Sequence, residues 1–115
     1  MSSEPKLGPD NQTVIWFVGT FEKIPYRDPE VISYFPEKVV CFRSGQKLSE
    51  FKLSPRFTVD CHFRKGSTQI AVAGEGTHGP VWYFLHDVKT GKQIDRSVSY
   101  AKEKPAWVQG LRDLY

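Results

Sequence analysis

The sequence predicts an α+β domain that is mainly β: an antiparallel barrel or sandwich of about six to seven strands, with a short internal helix and a short C-terminal helix. Three observations lead there. Apolar runs rich in β-branched and aromatic residues are separated by glycine and proline turns, and the stretch from Thr68 to Tyr100 holds three such runs in succession. Phe57, Val59, Cys61 and Phe63 alternate with Arg56, Thr58, Asp60, His62 and Arg64, the period of a strand with one apolar face, and the polar row Asp60, His62 and Arg64 reads as a solvated face. The third observation is size: 115 residues suit one domain with one core. Residues 12–115 are expected to form that domain. Residues 1–11, with two prolines and a glycine among polar neighbours, read as a mobile arm.

Taken in order, Thr13 to Phe21 is apolar at consecutive positions and reads as an interior strand, in which Gly19 marks a bulge or a close backbone approach. Asp28 is placed as an N-cap, Pro29 as a first helical residue and Glu30 as a first-turn anion. Val31, Ile32 and Phe35 then share a helical face up to Pro36, which predicts a helix over 29–35. Glu37 to Arg43 reads as a strand and Ser44-Gly45-Gln46 as a turn; Lys47 to Leu53 fits strand or helix about equally well and is taken as a strand, which makes a hairpin. After the alternating strand, Lys65-Gly66-Ser67 turns the chain into Gln69 to Ala73. Val81 to Val88 and Gln93 to Tyr100 form a further hairpin around Lys89-Thr90-Gly91-Lys92. On its return strand Ile94, Val98 and Tyr100 share a face with Arg96, which would need a partner if buried. Pro105, Trp107, Leu111 and Leu114 fall at the spacing of a C-terminal helix, weakened by Gly110 by about 1 kcal/mol.

Sixteen Lys and Arg against thirteen Asp and Glu leave a net charge of +3, with the signs interspersed. That is a weak signal for nucleic acid. No apolar stretch approaches the roughly 20 residues of a membrane span, and the first residues lack a basic and apolar leader pattern, so the chain is expected in the cytoplasm. Cys41 and Cys61 lie within apolar runs and read by default as buried, reduced thiols, with a single bridge between neighbouring strands as the alternative.

Gly74 to Gly79, GEGTHG, matches a phosphate-cradling pattern, but Pro80-Val81-Trp82-Tyr83-Phe84 favour a strand where that motif requires a helix N-terminus. Glu75, Thr77 and His78 on this loop, beside Trp82, together with Arg96, are the candidate ligand- or partner-binding residues. His62, His78 and His86 lack the spacing of a metal site. Cys61 and His62, adjacent on a strand, point to opposite faces and form no dyad. No catalytic residue, metal or cofactor is assigned. The functional expectation is a non-catalytic binding module for another macromolecule, a protein above all, with homodimerisation open to it. The alternatives are a small-ligand barrel or small enzyme with its site near Gly74–Gly79, and a single-stranded nucleic-acid binder using Arg56, Arg64, Lys65, Lys89 and Lys92 with Trp82 or Tyr83.

Overall fold

Strand follows strand through the chain in two consecutive meanders. A computed structural model describes residues 5–24, 31–53, 57–75 and 80–111. In the first meander β1 (Lys6–Leu7), β2 (Thr13–Ile24), β3 (Val31–Arg43) and β4 (Gln46–Lys52) form sheet A in that order. In the second, β5 (Phe57–Arg64), β6 (Gln69–Glu75), β7 (Val81–Asp87) and β8 (Gln93–Val98) form sheet B. Every pairing is antiparallel. The sheets do not close into a barrel, so the arrangement is sandwich-like, and Lys6 and Leu7, within the expected arm, contribute the eighth strand.

The turns follow local chemistry. Ser44 and Gly45 take φ of 50° and 81° between the paired Arg43 and Gln46, the two left-handed positions of a tight hairpin whose twist matches the strands. Asp87 organises the β7–β8 loop: its Oδ1 accepts from the Thr90 N–H at 2.8 Å, and Gly91, at φ 74°, donates to the Asp87 carbonyl at 2.8 Å.

The internal helix predicted over 29–35 is not formed: Val31 to Phe35 belong to β3 and pair with Thr20 to Ile24, while Asp28, Pro29 and Glu30 lie outside the described residues. A two-turn helix is marginal even when well capped, and the run Val31-Ile32-Ser33-Tyr34-Phe35 gains a full ladder from β2. Pro36 is accommodated without an N–H because it sits at a bulge. Val18 pairs with Lys38 and Gly19 with Pro36, so Glu37 is the extra residue, and its carbonyl accepts from the Leu53 N–H at 2.8 Å.

The predicted C-terminal helix is also corrected. Among the described residues only Ala106–Val108 is helical, as a single 3₁₀ turn; Gln109 returns to extended backbone and Gly110 takes φ 89°. Trp107 and Leu111 are nonetheless buried, as their spacing implied, and Val108 is buried with them; Leu114 lies outside the described residues. The glycine and β-branched Val108 weaken the helix, and the contacts to sheet B come from Trp107 and Val108 of the turn and from Leu111 just beyond it.

Sheet B is covered on both faces. Ile70 and Val72 of β6, with Val88, meet Ile15, Val39, Cys41 and Phe51 of sheet A in the core between the sheets. On the other face Ala71, Ala73, Tyr83 and Leu85 lie under Trp107, Val108 and Leu111. The polar row Asp60, His62 and Arg64, expected to be solvated, shares this covered face through the pairing of His62 with Ala71. Polar links tie the sheets together. Lys6 Nζ donates to the Cys61 carbonyl, the Asp10 N–H to Ser67 Oγ at 3.2 Å, and Ser49 Oγ to the Val88 carbonyl at 2.6 Å.

Candidate functional site

Of the five residues picked from the sequence, the structure places two side chains. Thr77 and His78 lie outside the described residues, and Glu75 is placed by its backbone alone, paired with Phe57 and Val81 at the end of β6. Trp82 is half-buried on β7, opposite Gly74 and Val98. Arg96 is exposed on β8 opposite Phe84, so it is a diagonal neighbour of Trp82 on the same face. The buried-arginine condition does not arise. A bulge also moves Ile94 off that face, because Leu85 pairs with Asp95 and His86 with Gln93, and Tyr100 lies beyond the strand. Of GEGTHG, Gly74 and Glu75 end β6 and residues 76–79 lie outside the described residues; Val81, where the phosphate motif requires a helix, opens β7, the antiparallel neighbour of β6.

The histidines are separated by the pleat. His62 pairs with Ala71 and His86 with Ile70, so their rings fall on opposite faces of sheet B. Among the described residues no three His, Cys, Asp or Glu side chains gather as metal ligands. His86 stacks on Phe51, ring centroids 3.7 Å apart, and its Nδ1 lies 3.1 Å from the Gly91 carbonyl. A carbonyl only accepts, so Nδ1 carries the proton of a neutral ring. His62 bonds the Trp107 backbone through one nitrogen and leaves Nε2 buried without a partner. Burial, the larger cause at each ring, holds both histidines below their ordinary value of 6.5, with the Arg64 charge adding to the effect at His62.

This has a consequence for stability. Below pH 6.5 the unfolded chain binds protons that the folded chain resists. The histidine contribution is therefore full above that pH and is lost as pH falls through the depressed folded values. Urea titrations from about pH 7 to pH 5 should show declining stability. His86→Phe, which keeps the stack on Phe51, should make that slope shallower; an unchanged slope would place the acid sensitivity elsewhere.

The cysteines are free, and both belong to or pack against the core between the sheets. Burial pushes both thiols up, which suppresses the thiolate needed for nucleophilic attack. Cys61 faces that core while His62 faces the C-terminal turn, so the pair cannot act as a dyad. Asp10 is a structural anion. Its carboxylate accepts from the Gln12 and Thr13 N–H groups and from Thr13 Oγ1 at 2.6 Å, bonds that hold it well below the usual range, with the Thr13 hydroxyl first among them. Arg43 Nε in turn donates to Thr13 Oγ1 at 2.9 Å.

The surface that the sequence reading missed is the outer face of sheet A. Thr13 and Ile15 are buried and Phe17 packs on the core, so the alternating Val14, Trp16 and Val18 point outward. The register sets Phe42 opposite Val14, Val40 opposite Trp16 and Leu7 beside Val14. Trp16 and Phe42, diagonal across the strands, stack with centroids 4.7 Å apart and planes 22° from parallel. Neither core cluster draws a side chain from this face, and Leu7 is 55% exposed. Three lysines border it: Glu50 pairs with Lys38 at 2.8 Å and Lys47 at 3.3 Å, and Lys52 lies opposite Lys38. The signal was present as apolar residues at both parities of β2, which were read as two covered faces. Against protein-family models, curated proteins and solved structures, the chain finds no match.

Proposed function

We propose that this domain is a non-catalytic binding module for a protein partner, and that the outer face of sheet A is its contact surface. The observation that carries the reading is the Trp16–Phe42 stack on an apolar sheet face outside both cores. Interface centres are enriched in such rigid aromatics, and apolar patches inside a polar rim mark association surfaces. The rim gives the partner its chemistry. Three lysines against Glu50 leave an excess of positive charge, which complements acidic residues around an apolar centre. Two free thiols, Cys41 buried and Cys61 half-buried, support a reducing, cytoplasmic setting. No helix among the described residues is long and apolar enough to cross a membrane.

Tagged protein drawn from lysate of its source with nuclease present should retain one partner in stoichiometric amount. Trp16→Ser and the pair Lys38→Glu with Lys52→Glu should each lose at least about tenfold of that affinity, as removing a central aromatic or reversing a rim charge typically does. Melting curves for the variants exclude unfolding as the cause. A complex that vanished with nuclease would overturn the reading in favour of nucleic acid, as would a partner indifferent to both variants in favour of another surface.

A further inference from the structure

The outer face of sheet B carries a second feature, independent of the sheet A surface and of any partner bound there. Between the C-terminal turn and the β5–β6 hairpin lies an open groove of about 390 Å³. Leu85 and Trp107 give it an apolar floor and wall, extended by Ala106 and by Ile94, which the β8 bulge brings to this side. Arg64 and Lys65 stand at its other border with Gln69. The backbone positions Lys65: it takes φ 49° in a hairpin whose Thr68 N–H and hydroxyl both bond the Lys65 carbonyl.

Charge decides what such a groove accepts. Asp95 is the one acid among the described lining residues, so Arg64 and Lys65 outnumber it and the lining carries a net positive charge, while the Asp95 oxygens are oriented by bonds within the protein. Oδ2 accepts from Trp107 Nε1 at 2.9 Å, and Oδ1 accepts from the Arg96 N–H at 2.8 Å. Arg64 and Lys65 form no ion pair within 4.0 Å among the described residues. The site thus presents a fixed indole and an aliphatic floor beside two cations that form no ion pair among the described residues, the complement of a planar apolar body ending in a carboxylate. We propose that this groove binds small organic anions carrying one carboxylate on a flat apolar body.

The probe is 3-phenylpropionate, with 3-phenylpropan-1-ol as its neutral counterpart at matched ionic strength. Binding is followed in two-dimensional NMR by the Trp107 indole N–H signal, assigned by its absence from Trp107→Phe. The acid should shift that signal saturably with Kd of about 1 mM, the weak range expected of an open groove. The alcohol should bind about tenfold more weakly, and so should the acid to the pair Arg64→Gln with Lys65→Gln. Lys65 is exposed and Arg64 half-buried, and an unchanged backbone spectrum verifies the fold. The proposal is overturned if the shift is linear, if acid and alcohol bind alike, if the glutamine pair leaves the affinity unchanged, or if the Trp16 signal moves instead.

Discussion

Replacing Gly19 with alanine should lower the stability of the domain by about 3 kcal/mol or more, because an added methyl at this position has no space to occupy. A Cβ built there would stand 2.0 Å from the Phe35 carbonyl oxygen and 2.6 Å from Pro36 Cα. Both neighbours are backbone in the paired strand, held by the ladder that follows the Glu37 bulge, so neither moves without opening β2 from β3. Gly45 supplies the contrast. It has nothing within 4 Å but takes φ 81°, so Gly45→Ala carries only the left-handed backbone penalty of about 1 kcal/mol. Urea midpoints of the two variants should differ accordingly; equal losses would mean that strand separation at the bulge is larger than described.

Trp107→Ala should cost about 3 kcal/mol, the range for removing a buried large aromatic. The indole is 8% exposed over Ala71, Ala73 and Leu85, and it supplies the hydrogen bond to Asp95. Its loss also uncovers His62, whose bond to the Trp107 backbone is formed only while the turn is docked. Amide exchange of β6 and β7 should quicken in this variant while that of β2 and β3 changes little. Trp107→Phe, which keeps most of the apolar area and loses the Asp95 bond, should cost about 1 kcal/mol. A Trp107→Ala protein as stable as wild type would show that the C-terminal turn does not hold sheet B.

Much of the fold was legible because its carriers are local. The β6–β7–β8 meander, the Ser44-Gly45 hairpin and the Asp87–Gly91 loop rest on alternation and turn chemistry within a few residues. The helix over 29–35 misled because Asp28, Pro29 and Glu30 form a local start signal, while the pairing of Val31 to Phe35 with Thr20 to Ile24 is a tertiary fact. The C-terminal turn shows the reverse case, where Trp107 and Leu111 found the core without the helix that their spacing implied. The polar row of β5 read as solvated because the sequence does not reveal that residues 107–111 fold back over it. The candidate surface escaped for a similar reason. Trp16 and Phe42 are 26 residues apart, and only the β2–β3 register makes them diagonal neighbours on a face outside the core.

The most direct test of that surface places a photo-cross-linking phenylalanine analogue at Phe42, on the stacked face, and in a second protein at Tyr100, which is 71% exposed and off it. Irradiated in lysate of the source, position 42 should yield a single protein adduct that Trp16→Ser abolishes, and position 100 should yield none. Equal adducts from both positions, or a nuclease-sensitive adduct from position 42, would contradict the assignment of sheet A as a protein-binding face.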